Sequence, residues 1–215
     1  MTSACKAIIF DLDNCLCDAR AVGEDLFQPA FDAIRRANRG DVPEERLRQA
    51  FDECWYTSYD LVAKRYRFSE AMFQAGFEVF RTLEVQGPLQ GYADLPVLRQ
   101  LAGDKYLVTS GFQRLQESKV QALGIREWFT RVVIDAVDVP PPRGKKAIFG
   151  DILRESGHAP GEILVVGDNP LSELAAGREL GMQTVQTVRP GVTAAAADFH
   201  ISRLDELPPI LAGER

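Results

Sequence analysis

Residues 7–15 read Ala7-Ile-Ile-Phe-Asp-Leu-Asp-Asn-Cys15: four apolar residues that run straight into two carboxylates, Asp11 and Asp13. A short apolar run bounded by polar residues is the pattern of a strand buried on both faces. Residues two apart on an extended backbone point the same way, so both carboxylates can face one site at the strand's end. Similar runs recur at 106–108 before Thr109, at 132–134 and at 163–166 before Gly167, with a weaker, partly alternating one at 183–188. Helical stretches at about 112–122, 145–156 and 171–180 separate them, closed by Gly124, Gly157 and Gly181, as left-handed helix ends favour. Strand and helix in alternation predict an α/β fold: a Rossmann-like parallel sheet with helices on both faces.

The segment 17–89 breaks this rhythm. Phe27, Phe31 and Ile34 fall on one helical stripe, Leu47, Phe51, Cys54 and Trp55 on a second, and Phe73, Phe77 and Phe80 on a third behind a capping Ser69. The reading is an α/β core of residues 1–16 and 90–215 with an all-helical cap, 17–89, inserted after the first strand. The 215-residue chain carries 25 Lys+Arg against 31 Asp+Glu, a net charge of −6. Nucleic acid and anionic membranes are poor partners for such a chain, because both need basic patches. No apolar run approaches a membrane span, and the start lacks the pattern of a signal peptide, so the expected compartment is the cytoplasm. Cys5, Cys15, Cys17 and Cys54 are then expected as thiols.

In an open parallel sheet, ligands bind beyond the carboxyl ends of the strands. Those ends carry Asp11 and Asp13; Thr109-Ser110-Gly111, whose hydroxyls and helix-start amides suit an anion; and Gly167-Asp168-Asn169, with Glu173 one turn further on. Lys145 and Lys146 open the helix after Pro140-Pro-Pro142. Taken singly, each piece is ordinary: D-x-D ends many strands, G-D-N-P is a turn, and paired lysines are common surface charge. Together they bring carboxylates, a hydroxyl, amides and an ammonium to one sheet edge. Crowded carboxylates repel unless a cation joins them, and hard oxygen donors suit Mg²⁺. Such a site fits a phosphoryl group, with a carboxylate as nucleophile.

These residues resemble the haloacid dehalogenase-like (HAD) hydrolases. The resemblance rests on Ile8-Ile-Phe-Asp-Leu-Asp-Asn-Cys15, the strand ending in Thr109, a lysine at a helix start, and Gly167-Asp168 leading to Glu173. It implies that Asp11 is a nucleophile forming an aspartyl-phosphate and that Asp13 is the acid and then the base. Thr109, Ser110, Gly111 and Lys145 would bind phosphate, with Mg²⁺ held by Asp11, the backbone carbonyl of Asp13 and Asp168. Asn169 and Glu173 would stand behind the metal. This chain departs from the family pattern in Cys15, in Glu173, and in lacking the usual Lys-Pro, so Lys145 and Lys146 compete and Lys145 is preferred. The second aspartate, Asp13, favours an oxygen leaving group. The expected activity is therefore phosphate monoester hydrolysis on a small phosphorylated metabolite. The alternatives are a phosphomutase and a catalytically silent relative. A receiver-type phospho-acceptor fits less well, because it carries its acceptor on a middle strand and has no insert. Tyr56 and Arg65 are possible substrate readers in the cap, which is expected to act as a mobile lid.

Overall fold

The computed structural model describes residues 5–141 and 143–213, so Met1 to Ala4, Pro142 of the proline run and the last two residues lie outside it. Six strands form one parallel sheet: β1 (Ala7–Phe10), β2 (Asp104–Gly111), β3 (Arg131–Ala136), β4 (Ile163–Gly167), β5 (Gln183–Thr187) and β6 (Phe199–Ile201). Their spatial order is β3-β2-β1-β4-β5-β6. β1 is central, pairing Ala7 with Asp104 on one side and with Ile163 on the other. This explains why all four of its residues are apolar and buried. Ile8 and Phe10 pack on one face with Leu107, Val120 and Val166. Ala7 and Ile9 pack on the other with Val108, Phe149 and Val165. Truncating so enclosed a ring as Phe10 to Ala would cost roughly 3–5 kcal/mol.

Between β1 and β2 lie four helices: α1 (Gln28–Ala37), α2 (Glu44–Glu53), α3 (Tyr59–Tyr66) and α4 (Glu70–Phe80). Ser69 caps α4 by accepting from the Met72 amide at 3.4 Å. The aromatic stripes close on one another: Phe27 stacks on Trp55 at 4.2 Å and Phe31 on Phe51 at 4.3 Å between ring centroids. Phe112, from the far side of the sequence, joins this cluster, stacking on Phe80 at 5.4 Å. The two ends of the insert meet where the Tyr92 amide donates to the Leu16 carbonyl at 3.0 Å.

The remaining helices are α5 (Gln113–Leu123), α6 (Lys145–Ser156), α7 (Glu173–Glu179) and the short α8 (Leu207–Leu211). Gly124 and Gly157 end α5 and α6 in the left-handed conformation. The chain leaves β1 toward β2 and β3, then crosses back to β4 on the other side. The switch point between β1 and β4 opens a crevice above their carboxyl ends.

Candidate active site

A cleft of about 460 Å³ lies above that crevice, between the sheet and the helical insert. Asp11 continues β1, its amide donating to the Val166 carbonyl at 2.9 Å. Its buried carboxylate accepts from Lys145 Nζ at 2.6 Å, and the same ammonium lies 2.8 Å from Glu173 Oε2. Lys145 is the first residue of α6 and is buried, whereas Lys146 is exposed and pairs with Glu179 on the surface. The loop before α6 is set by Asp135 at the end of β3, which accepts from the Arg143 and Gly144 amides at 3.2 and 3.1 Å. Asp135 also accepts from the Ser110 hydroxyl at 3.3 Å, which ties the β2 and β3 ends together.

Asp11, Asp168 and Glu173 each present a carboxylate oxygen within 4.8 Å of the others, and all three are buried. Glu173 also accepts from the Asn169 amide at 2.6 Å, closing the turn after β4. Gly167 makes this possible: a Cβ there would overlap the Glu173 side chain. Burial, reinforced by Glu173 and Asp11, pushes Asp168 up to about 9. Burial likewise raises Asp11 to about 7, against the pull of Lys145 and with Glu173 repelling it. Burial alone would lower Lys145, but Asp11 and Glu173 hold it well above its ordinary value. Among the described residues, nothing donates a hydrogen bond to the Asp168 carboxylate. Asp168 and Asp11 thus present hard oxygen donors side by side, while both Glu173 oxygens are engaged by Lys145 and the Asn169 amide; the residues present fit Mg²⁺.

Asp13 lines the same cleft as Asp11. Its carboxylate meets α5, with Lys119 Nζ at 2.8 and 3.0 Å and Gln116 Nε2 at 3.0 Å. Its side chain lies outside the tight carboxylate trio but close enough for its charge to act on Asp11 and Asp168. Thr109 is buried and accepts from Gln116. Cys15 packs beneath the loop, its thiol reaching the Val166 carbonyl at 3.6 Å and raised well above the ordinary range by burial and by Asp11. The insert lines the cleft with Phe27, Trp55 and Phe80, and with the polar run Tyr56 to Asp60. Arg65 pairs with Glu53 and borders an adjoining groove that shares Asp168 and Asn169 with the cleft.

The sequence reading did not single out Gln116, Lys119, Asp135 or Asp60. A signal for the first two exists: Leu115, Gln116, Lys119 and Val120 all fall on the buried side of α5. Two long polar residues stand there where apolar ones are expected.

The chain belongs to the haloacid dehalogenase-like hydrolases, whose family model matches residues 5–181. Its sequence is 31% identical over 223 residues to a glyceraldehyde 3-phosphate phosphatase of Methanopyrus kandleri, covering 94% of this chain and 95% of that one. In structure it is similar to a HAD phosphatase from Thermococcus onnurineus, with a TM-score of 0.65, 25% identity, and coverage of 98% and 99% of the two chains. The magnesium-bound HAD hydrolase YfnB of Bacillus subtilis shares the fold, with a TM-score of 0.66, 20% identity, and coverage of 97% and 99%. The protein is accordingly an enzyme of the phosphatase type.

Proposed function

We propose that the protein hydrolyses a phosphate monoester of a small metabolite in a Mg²⁺-dependent reaction that passes through an aspartyl-phosphate on Asp11. The observation that carries this reading is the Asp11–Lys145–Glu173 contact beside the donorless Asp168, at the switch point of the sheet. Asp11, the backbone carbonyl of Asp13 and Asp168 would hold Mg²⁺, which when bound offsets the charge of carboxylates and phosphate. Lys145 lies against the nucleophile, where a fixed ammonium stabilises charge on the transferring group. Thr109 stands ready to donate its proton to a phosphoryl oxygen. Asp13 protonates the leaving oxygen and then takes a proton from the attacking water. The curated phosphatase that matches nearly the full length of this chain acts, by its name, on a three-carbon phosphate. A cleft of about 460 Å³ has room for a substrate of that class and for larger ones.

The test is Asp11→Asn, since an amide cannot attack phosphorus. The variant should fold, as judged by circular dichroism, and lose turnover of p-nitrophenyl phosphate, while the unaltered enzyme should need Mg²⁺ and stop in excess EDTA. Undiminished turnover by the folded variant would overturn the reading.

A further inference from the structure

The hydroxyl assigned to the phosphate sits in β2 and the carboxylate assigned to the leaving group in the loop after β1, yet one side chain touches both. Gln116 on α5 is 2% exposed. Its Nε2 lies 2.5 Å from Thr109 Oγ1, 3.0 Å from Asp13 Oδ2 and 3.3 Å from the Ser110 carbonyl. A carboxylate and a carbonyl only accept, so the amide nitrogen must face them. Thr109 then accepts from Gln116 as well, which leaves its own proton free for an anion. Lys119, one turn further along α5 and 3% exposed, reaches both oxygens of Asp13. Three donor contacts from one helix thus fix the rotation of the Asp13 carboxylate.

Two further features mark this as a built arrangement. Buried polar side chains are costly unless paired, and the amide and ammonium on the inner face of α5 find their partners in Thr109 and Asp13, the two groups assigned to the reaction. In addition, a Cβ at Gly111 would stand 3.0 Å from Gln116 Cγ and 3.2 Å from Cδ, so the glycine at the end of β2 leaves room for this side chain.

We infer that Gln116 is a positioning residue, with Lys119 as its second arm, that sets the phosphate-binding hydroxyl and the acid/base carboxylate relative to each other. The inference rests on the phosphatase reading. Small errors of placement are expensive in catalysis, even where the displaced group is otherwise intact. Losing this brace should act on the two jobs it serves. Protonation of a poor leaving group should suffer more than expulsion of a good one, and the grip on phosphate should loosen.

The experiment measures kcat and KM for Gln116→Leu on glycerol phosphate and on p-nitrophenyl phosphate, together with inhibition by inorganic phosphate, all at saturating Mg²⁺. The expected result is a loss of about tenfold or more on the alkyl ester, a clearly smaller loss on the nitrophenyl ester, and a raised inhibition constant for phosphate. Combined with Asp13→Ala, it should add little further loss on the alkyl ester, because contacting residues couple. Lys119→Arg should retain more of the alkyl-ester activity than Lys119→Met. Equal fractional losses on both esters with unchanged phosphate inhibition, or full additivity with Asp13→Ala, would reduce Gln116 to a packing residue and overturn the inference. Where Gln116→Leu fails to fold, Gln116→Met decides by the same criteria. A wild-type protein that turns over neither ester sinks the phosphatase reading instead, a separate outcome.

Discussion

Asp168 and Asp11 are both raised, to about 9 and about 7, chiefly by burial, so the folded protein holds their protons more tightly than the unfolded chain does. For an acid raised on folding, the linked stability is complete below the unfolded value and is lost as pH climbs through the folded one. The metal-free protein should therefore melt at progressively lower temperature from about pH 5 to pH 9, other groups being equal. A divalent cation needs these carboxylates ionised, so its stabilisation should grow over the same range. Thermal melts at pH 5, 7 and 9, in EDTA and in Mg²⁺, check this: a Mg²⁺-induced gain that shrinks as pH rises contradicts it. The two neighbouring lysines make a second contrast. Lys145→Ala leaves Asp11 and Glu173 buried without their cation, and breaking such a pair costs about 3–5 kcal/mol; kcat/KM should fall by orders of magnitude. Lys146→Ala removes only an exposed pair with Glu179 and should change stability by less than about 0.5 kcal/mol, with activity unaltered. Denaturant unfolding and steady-state kinetics on both variants distinguish the two, and reversed effects would move the role to Lys146.

At the scale of elements, the turn from β4 into α7 is closely packed. Gly167 ends the strand where the Glu173 side chain passes, and a methyl group there forces that side chain aside. Gly167→Ala should cost about 1–3 kcal/mol through overpacking and weaken Mg²⁺ binding, both measurable by chemical denaturation and by Mg²⁺-dependent thermal shift. A variant with wild-type values in both would mean that Glu173 moves freely. The strands β1 to β4 were readable because parallel strands covered on both faces are continuous apolar runs, and their ends then point to Asp11, Thr109 and Asp168. The helices α1, α2 and α4 were readable from their apolar stripes. α3 was not, because Tyr59–Tyr66 mixes aromatic and charged residues without a clean stripe. β6 was not, being three residues long with His200 exposed in the middle. Gln116 and Lys119 escaped because a polar residue inside a helix looks like a solvated face until the sheet is in place to bury it. Asp135 escaped for a related reason: its work is to bind backbone amides of a loop, which leaves no pattern in side-chain type.

For the molecule as a whole, the cleft is lined from both the sheet and the insert. The acidic cluster and its lysine stand on the sheet side, whereas Tyr56 and Asp60 line the cleft from the insert. Substitutions such as Tyr56→Ala and Asp60→Asn should change kcat/KM unequally across a panel of phosphate esters. They should leave phosphorylation of Asp11 by acetyl phosphate within about threefold of wild type, since so small a donor gives the insert little to hold. Equal slowing of every donor, acetyl phosphate included, would place part of the chemistry on the insert. The pairing of β1 also has a consequence for biosynthesis. The strand at the centre of the sheet is made first, yet its partners arrive only with Asp104 and then Ile163, after the four inserted helices. A nascent chain therefore carries an apolar strand with neither neighbour until Asp104 is made and with only one until Ile163, the kind of long-range closure that folds slowly and exposes sticky edges. Chains released before Ile163 emerges lack one whole side of that strand's pairing, and they are the species on which chaperones should act most.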